Sequence, residues 1–435
     1  MAESNGGWRP TPAFGRAVGV GAGLLLAAIL LRRADLVVLA APLVIGAALA
    51  LTDRPTGRPA VGLTVPGDAV LEGGETTLTA TVVSSDTLDL AALVLTVPPW
   101  LEPVSGHLPP AAAVAVPAGP AVHVPFELRS ARWGRRPVGP VTLHAAAAYG
   151  LLRWPPVSSG TGMATTWPLR EGFHAADIVP RAEGLVGAHR SRRAGEGSDV
   201  AGVRPFVPGD RLRRVNWRVT GRTGELHVTS TYSDRETEVL LCLDSRHDLG
   251  RPPASSLDAG VRAAAAVAEH YLRAGDRVAL VDLGQRYRPV PARNGRAHLV
   301  RILDLLLDAR PPHDTTRGRT AGLLSPAELT GLVAPGALVV LLGPLSTPAS
   351  LQAVATLARA GRSVVAVDTL PAGFVPHRRG DYTELAFRLW RLRRDADVRR
   401  LGELGVPVVP WRGAGSLDQV LRDVSRAARA PRVAR

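Results

Sequence analysis

The sequence predicts a multidomain chain with an N-terminal transmembrane hairpin of two helices, an antiparallel β-sandwich, and an α/β domain built on a doubly wound parallel sheet. Three observations predict this architecture. Two apolar runs open the chain, at residues 17–31 and 36–51. Short β patterns, separated by turn residues, follow as far as residue 157. From Val239 onward, continuous apolar strands alternate with helical patterns, which is typical of a parallel sheet covered on both faces.

The two apolar runs are separated by Arg32-Arg33-Ala34-Asp35. A single span across both runs would bury three charges in the middle of the bilayer, at a cost of several kcal/mol. We therefore expect residues 1–16 to form an N-terminal tail and residues 17–53 to form a hairpin in the cell membrane. A cleaved signal peptide is the competing interpretation, but no small-x-small cleavage site follows Leu31.

Three glycines of the first helix, Gly15, Gly19 and Gly23, lie four residues apart and share one helix face. Small residues let helix backbones approach closely in membranes. We expect this face to pack within the hairpin or between protomers. The arginines that flank the hairpin favour an orientation with the soluble domains in the cytoplasm. This preference is weak, because Arg32 and Arg33 in the turn favour the opposite orientation.

Residues 54–60 are rich in proline and glycine and are predicted to be a linker. Residues 61–157 carry the β-sandwich pattern, as in 75–84, where Leu78, Ala80 and Val82 alternate with polar residues. Residues 158–238 form a connecting region, with a predicted strand near Ile178.

The α/β domain is predicted over residues 239–430. Its first strand, 239–243, ends before Asp244, and a serine-capped helix follows at 256–273. Later strands at 278–282, 337–342, 363–368 and 406–409 alternate with helices. The predicted helices run over 297–307, 326 onward, 347–359, about 381–401 and 416–428.

Composition excludes several chemistries. All 52 basic residues are arginine, so the chain has no Walker A lysine and no lysine for a Schiff base. Cys242 is the only cysteine, which excludes an intrachain disulfide and a cysteine metal cluster. No two histidines lie three to five residues apart, so helical zinc motifs are absent. The net charge of +14 permits anionic lipid, nucleic acid or an acidic protein as partner.

The densest motif lies in residues 195–238 of the connecting region. Residues 204–222 contain six arginines and one acid, which gives a net charge of +5. Pro208-Gly209-Asp210 is a turn sequence, and Arg213 and Asn216 follow at helical spacing, so a helical turn can set arginines around the Asp210 carboxylate. A structured surface loop whose arginines pair with local acids remains the alternative.

This motif resembles the signature of domain-of-unknown-function family 58, a bacterial family. The pattern places spaced arginines and an Asp-Trp or Asn-Trp pair after Pro-Gly-Asp. The residues that match are Arg204, Phe206, Pro208, Gly209, Asp210, Arg213, Asn216, Trp217, Arg222 and Gly224. The chain departs from the pattern at Asn216, where Asp is common, and at the Tyr that usually precedes the turn.

The C-terminal domain looks like a von Willebrand factor A domain, whose Mg²⁺ site uses an Asp-x-Ser-x-Ser run after the first strand and a threonine from a later loop. Here the run reads Asp244-Ser245-Arg246-His247-Asp248. Asp244, Asp248 and Thr315 are the candidate ligands of a degenerate site. An arginine within the run competes with a cation, so we prefer a structural ion pair between Asp244 and Arg246.

The resemblance implies a non-enzymatic, membrane-anchored adaptor or assembly protein that works with a MoxR-type AAA ATPase and other von Willebrand A proteins. On this interpretation Asp210, Arg213, Trp217 and Arg222 present the partner surface or brace it. No cofactor and no nucleic acid are expected. The alternatives are an arginine-rich binder of nucleic acid or anionic lipid, and a hydrolase, which lacks a nucleophile-base pair in the sequence.

Overall fold

The computed structural model describes residues 7–169, 194–207, 210, 212–232, 238–284, 289–311, 326–334, 336–376, 380–412 and 416. The chain divides into two units, Met1–Pro168 and Leu169–Arg435. The predicted strand near Ile178 and the predicted helix after Ser416 lie outside the described residues.

Two apolar helices open the first unit, α1 (Pro12–Leu31) and α2 (Asp35–Thr52). Both are long and apolar enough to cross a membrane, and they form the predicted hairpin. The helix α1 begins within the predicted tail because the Thr11 hydroxyl accepts a hydrogen bond from Phe14 N and Pro12 occupies the first turn. In the connecting turn, Arg33 pairs with Asp35 at 2.6 Å.

The two helices approach each other at Gly21, where an added Cβ would lie 2.9 Å from Val44 Cγ2. By contrast, Gly15, Gly19 and Gly23 are exposed, and an added Cβ at each would have no neighbouring atom within 4 Å. The contact within the hairpin therefore lies on a different face from the one that the three glycines predict, since Gly21 is offset from them around the helix. A contact between protomers through the three glycines stays a prediction.

The base of the hairpin is attached to the strands of the same unit. Trp8 is buried and packs edge-on against Trp154, with ring centroids 5.6 Å apart. Thr11 N donates to Leu151 O at 2.8 Å, and Arg54, just after α2, donates to the carbonyl of Trp8. Both ends of the hairpin are thus hydrogen-bonded to a single small region.

Thirteen strands of this unit are described. They are β1 (Arg9–Pro10), β2 (Ala60–Thr64), β3 (Val70–Leu71), β4 (Glu75–Val83), β5 (Leu88–Leu95), β6 (Leu101–Pro103), β7 (Ala111–Val116), β8 (Val122–Ser130), β9 (Gly134–Val138), β10 (Val141–Ala147), β11 (Leu152–Arg153), β12 (Val157–Ser158) and β13 (Gly162–Trp167). They form sheets in the orders β1-β11-β10-β5-β7, with β12 beside β10, β2-β4-β8-β6, and β3-β13-β9.

The pairings in these sheets are antiparallel, as predicted, except that β3 and β13 run parallel. Alternate residues of β4, including Leu78 and Val82, are buried because the strand has one apolar face. They share one buried cluster with residues of the larger sheet, such as Leu93 and Leu143. The two larger sheets therefore contribute to a common core.

The second unit contains helices and strands in alternation. Its strands are β14 (Ala194–Pro205), β15 (His227–Tyr232), β16 (Glu238–Leu243), β17 (Arg277–Asp282), β18 (Val290–Arg293), β19 (Leu338–Gly343), β20 (Ser363–Asp368) and β21 (Val408–Pro410). Its helices are α3 (Trp217–Thr223), α4 (Ser256–Arg273), α5 (Arg296–Leu307), α6 (Pro326–Leu332), α7 (Pro348–Arg359) and α8 (Thr383–Glu403).

Strands β16–β21 form one sheet in the order β18-β17-β16-β19-β20-β21. All pairings are parallel except that of the edge strand β18, which runs antiparallel to β17. The sheet is therefore mixed, and the prediction of a wholly parallel sheet is corrected at this edge. The strand order reverses between β16 and β19, since the chain first extends the sheet from β16 to β17 and later adds β19 on the other side.

Helices lie against both faces of β16. Leu240 and Cys242 belong to a buried cluster that includes residues of α6, α7 and α8. On the other face, Gly260 of α4 lies against Leu243, where an added Cβ would be 3.1 Å from Leu243 Cδ1. The predicted span of α4 is confirmed, and its N-terminus carries a capping box formed by Ser255 and Asp258.

The glycine contact in the hairpin gives a matched pair of substitutions. We expect Gly21→Leu to lower the stability of the detergent-solubilised chain by about 1–3 kcal/mol, because the new side chain has to displace α2. Gly19→Leu adds a side chain into open space and should leave the thermal unfolding midpoint unchanged. Equal loss of stability in the two variants would contradict the contact at Gly21.

Candidate functional site

The signature segment folds back on an antiparallel ribbon of β14 and β15. Phe206 N donates to Leu226 O at 2.8 Å, and Asn216 N donates to His227 O at 2.8 Å. Val215 forms an isolated bridge with the ribbon. Because the segment is tied to the ribbon at several points, its short helix α3 has a defined position.

Asp210 is the acceptor at the centre of this segment. Arg204 Nη1 and Nη2 donate to its two carboxylate oxygens at 2.7 and 2.6 Å, and Val207 N donates to Oδ2 at 2.9 Å. The Arg204 hydrogen bonds, followed by that of Val207, lower the pKa of the Asp210 carboxyl. Arg204, which precedes the turn in the sequence, thus donates the side-chain hydrogen bonds to Asp210, and the charge of Arg214 also lowers its pKa.

The other signature residues have distinct positions. Asn216 caps α3, since its Oδ1 accepts from Val219 N at 3.2 Å, and Gly224 ends the helix with φ 77°. Arg222 lies in the last turn of α3, where a cation complements the helix dipole. Pro208 and Gly209 lie outside the described residues, as does the side chain of Arg213, whose backbone belongs to a short 3₁₀ turn at Leu212–Arg214.

Trp217 is the first residue of α3, and 71% of its surface is exposed. Leu212 and Val207 are also exposed. Because α3 is fixed by the Asn216 cap and by the left-handed Gly224, Trp217 has little freedom to rotate away from solvent and become buried. Exposed aromatic and apolar residues of this kind are enriched at protein interfaces.

A second group of polar residues lies where the strands of the large sheet end. Asp244 follows β16, Asp282 ends β17 and Asp368 ends β20. Parallel strands end at the same edge, and this edge includes the switch in strand order between β16 and β19, where ligands bind in open α/β sheets. The sequence predicts only Asp244 and Asp248 as acidic candidate ligands at this edge, although Asp282 and Asp368 also stand where an apolar strand ends.

Asp244 and Arg246 form a buried ion pair. Arg246 Nε and Nη2 lie 2.7 and 2.9 Å from the two carboxylate oxygens of Asp244, and the side chains are 3% and 11% exposed. The Ser350 hydroxyl of α7 donates to Asp244 Oδ2, and Arg246 Nη2 approaches the same hydroxyl at 3.0 Å. The preferred ion-pair interpretation is confirmed.

The pKa of the Asp244 carboxyl is lowered from its ordinary value. Burial acts to raise it, but the hydrogen bonds and charge of Arg246, together with the Ser350 hydroxyl, more than offset that effect. The carboxylate is therefore ionised and already engaged within the chain.

The arrangement does not fit a divalent cation. Both oxygens of Asp244 accept hydrogen bonds from Arg246, whose positive charge would repel a cation bound beside them. Asp248 Oδ1 accepts from Leu257 N at 3.1 Å, at the start of α4. The third candidate ligand, Thr315, lies outside the described residues. Among the described residues, no group of three or more His, Cys, Asp or Glu side chains is arranged to hold a metal.

A further arginine binds the same edge from α8. Arg394 is buried, pairs with Asp368 and donates through Nε and Nη2 to Pro344 O at 3.0 and 2.9 Å. It joins the loop after β19 to the end of β20. This contact was not predicted, because a buried arginine in the middle of an arginine-rich helix has no distinguishing sequence signal.

A groove of about 460 Å³ opens beside these pairs. It is lined by His247, Thr347, Phe374, Phe387 and Trp390, among others. The ring planes of Phe387 and Trp390 stack at 19°. Most of the lining residues are apolar, and the polar ones are His247, Ser346, Thr347 and Thr383.

The buried ion pair predicts the effect of removing one partner. Arg246→Met leaves the Asp244 carboxylate buried without its cation and should cost about 3–5 kcal/mol in unfolding free energy. The double variant Asp244→Asn/Arg246→Met removes both charges and should recover most of that loss, as measured by denaturant unfolding. Additive losses in the double variant would contradict a paired role.

The environment of Asp282 predicts an unusual pH dependence. Burial raises the pKa of this carboxyl, the nearby Asp244 charge adds to the rise, and hydrogen bonds from Ser245 and Gly284 oppose it. Because the folded chain holds this proton more tightly than the unfolded chain does, its contribution to stability falls as pH rises through the folded pKa. Asp282→Asn should therefore be more stable than wild type at neutral pH.

The Asn side chain keeps an oxygen for the hydrogen bonds from Ser245 and Gly284. Below the pKa of an aspartate in the unfolded chain, about 4, the Asp282 carboxyl is protonated in both the folded and the unfolded chain. The stability advantage of Asp282→Asn should therefore disappear. Thermal unfolding across the acidic to neutral range measures this difference. A constant difference at all pH values would show that the carboxylate charge is not its source.

The proteins that this chain resembles in sequence are themselves named as uncharacterized. The chain is 32% identical over 195 residues to uncharacterized proteins of Mycobacterium bovis and Mycobacterium tuberculosis. The match covers 43% of this chain and spans 59% of the length of those relatives. The solved C-terminal domain of wzt aligns with 26% of this chain and 79% of its own at 10% identity, but the TM-score of 0.17 supports no inference about the fold.

Residues 202–371 match the family described as "Protein of unknown function DUF58". The matched range begins in the ribbon that holds the signature, includes Asp210 and Trp217, and ends just after β20 of the large sheet. The signature residues, the buried pair of Asp244 and Arg246, and Asp368 all lie within it. Residues 202–371 of this chain therefore form a domain of the DUF58 family.

Proposed function

We propose that this chain is a membrane-anchored, non-enzymatic adaptor or assembly protein that acts with a MoxR-type AAA ATPase, and with other von Willebrand A proteins, in complex maturation or a chaperone-like process. The main support is Trp217, which is exposed on a helix held by its own cap, by the ribbon and by the Asp210 region. A rigid, exposed tryptophan is a typical anchor of a protein interface.

The architecture that we propose follows from the same chain. The apolar hairpin spans the cell membrane, and the soluble units lie in the cytoplasm. The two larger sheets of the first unit form the predicted β-sandwich. The sheet of β16–β21 is doubly wound and von Willebrand factor A-like, with a metal site converted to an ion pair.

Several contacts support a non-enzymatic role. Asp244 and Asp368 are each paired with an arginine of the chain. Burial raises the pKa of the Cys242 thiol to about 12, so this thiol stays protonated and unreactive at neutral pH. A hydrolase would need a free acid, base or nucleophile at this edge, and Asp244, Asp368 and Cys242 do not supply one.

The second candidate is a binder of nucleic acid or anionic lipid. Arg218 and Arg222 of α3 are exposed, and phosphates bind such arginines with a steep dependence on salt. We favour the protein partner because the exposed residues of the same segment include Trp217 and Leu212, which are suited to packing against a protein surface.

The adaptor proposal predicts a specific loss of partner. Affinity isolation of the full-length chain from native membranes should recover an AAA ATPase, and Trp217→Ala should reduce its yield about tenfold or more, as expected for an interface anchor. Quantitative mass spectrometry measures the yield.

Tyr149→Ala is the matched control, because Tyr149 is also an exposed aromatic residue but belongs to the first unit. Its ATPase yield should equal that of wild type. Recovery of no AAA ATPase with wild type and Trp217→Ala alike would refute the proposal. Binding that depends on nucleic acid or anionic lipid and disappears at high salt would favour the second candidate.

A further inference from the structure

The outer surface of α8 carries a narrow apolar strip. Leu385, Leu389 and Leu392 are 58%, 60% and 66% exposed. Their spacing of four and three residues is that of the d, a and d positions of a heptad repeat. With 3.6 residues per turn, the three side chains fall within an arc of about 60°. Tyr382, which is also exposed, continues the same spacing toward the N-terminal end of α8.

The inner surface of α8 fixes the direction in which this strip faces. Phe387 and Trp390 pack against Phe374, with ring centroids 5.8 and 6.0 Å from it. Arg394 is buried and binds Pro344 O and Asp368. Because these contacts hold one side of the helix on the domain, the three leucines stay on the side that faces solvent.

Arginines border the strip on both sides. Arg388 lies at a g position and Arg393 at an e position of the same repeat, and both are exposed. In coiled coils, residues at e and g select the partner helix through charge. Along the three leucines, the strip therefore combines an apolar seam with positive flanks, and the next g position is the half-exposed Asp395.

We propose that this strip, Leu385-Leu389-Leu392 with Arg388 and Arg393, is a docking surface for an amphipathic helix of a partner protein that carries acidic residues beside its own apolar seam. Positive flanks complement acidic residues at the partner's e and g positions. The proposal extends the adaptor function with a second surface, and rests on that function only for the idea that the chain has protein partners.

Two other occupants have to be distinguished from a partner helix. A helix that lies on a membrane buries a wide apolar face, whereas an apolar stripe confined to a and d positions is a seam for another helix. A second copy of α8 in a parallel pair would place Arg388 at g beside Arg393 at e of the other helix, and these like charges disfavour that arrangement. In an antiparallel pair, the half-exposed Asp395, which also lies at a g position, would face Arg388, so a measurement of self-association distinguishes this occupant from a partner helix.

The experiment uses the full-length chain in detergent and a labelled four-heptad peptide with Leu at a and d and Glu at e and g. Fluorescence anisotropy should show that this peptide binds. A matched peptide with Lys at e and g should bind about tenfold more weakly or worse, because its charges repel Arg388 and Arg393.

Three variants locate the binding on the strip. Leu389→Glu should abolish binding of the acidic peptide, and Arg388→Glu/Arg393→Glu should reverse the preference between the two peptides. Arg391→Glu changes the same charge on the same helix but away from the strip, and should retain the preference of wild type. All four positions are exposed, and circular dichroism checks that each variant is folded.

Equal binding of both peptides, or binding that survives Leu389→Glu, would overturn the proposal. An environment-sensitive fluorophore on Leu389→Cys that shifts to the blue in anionic but not in neutral nanodiscs would overturn it in favour of a membrane surface. Self-association that is lost in Leu389→Glu would overturn it in favour of a second copy. None of these results depends on recovery of the ATPase, so failure of the adaptor proposal would be seen separately.

Discussion

The packing of the second unit depends on how the carboxylates at the ends of its buried strands are paired with arginines. Asp244 and Asp368 each follow apolar residues into a region with little water, where an unpaired carboxylate would be costly. Arg246, in the next turn, pairs with Asp244 and lowers its pKa, whereas Arg394 of α8 pairs with Asp368, whose pKa burial still raises. These pairs also connect the loop after β16 to α7, and the loop after β19 to α8, so that charge compensation and the placement of the helices are one arrangement.

The signature segment follows a different rule, because its ion pair lies at the surface. Arg204 and Asp210 are both partly exposed, and such pairs contribute little to global stability. This pair instead sets the local geometry, since two hydrogen bonds from the Arg204 guanidinium fix the orientation of the Asp210 carboxylate. With Asn216 capping α3, the segment holds Trp217 in one exposed position at low structural cost.

Much of the secondary structure followed from the sequence, since apolar periodicity and capping residues act locally. The apolar hairpin, the span of α4 and the continuous strands β16 and β19 are examples. The antiparallel direction of β18 and the contact face of α1 at Gly21 did not follow, because both depend on which element lies alongside. The pairing of Asp244 with Arg246 was predictable from two residues of separation, whereas Arg394 reaches Asp368 only after the helix and sheet have packed.

The attachment at the base of the hairpin has a mechanical consequence. Trp8 and Thr11 hold the start of α1 to residues beside β11, and Arg54 ties the end of α2 to the Trp8 carbonyl. With a flexible connection, the strands of the first unit would rotate freely relative to the two helices. In the proposed membrane arrangement, the attachment instead fixes the orientation of these strands relative to the helices, so a force on the strands would be transmitted to the helices as torque within the lipid.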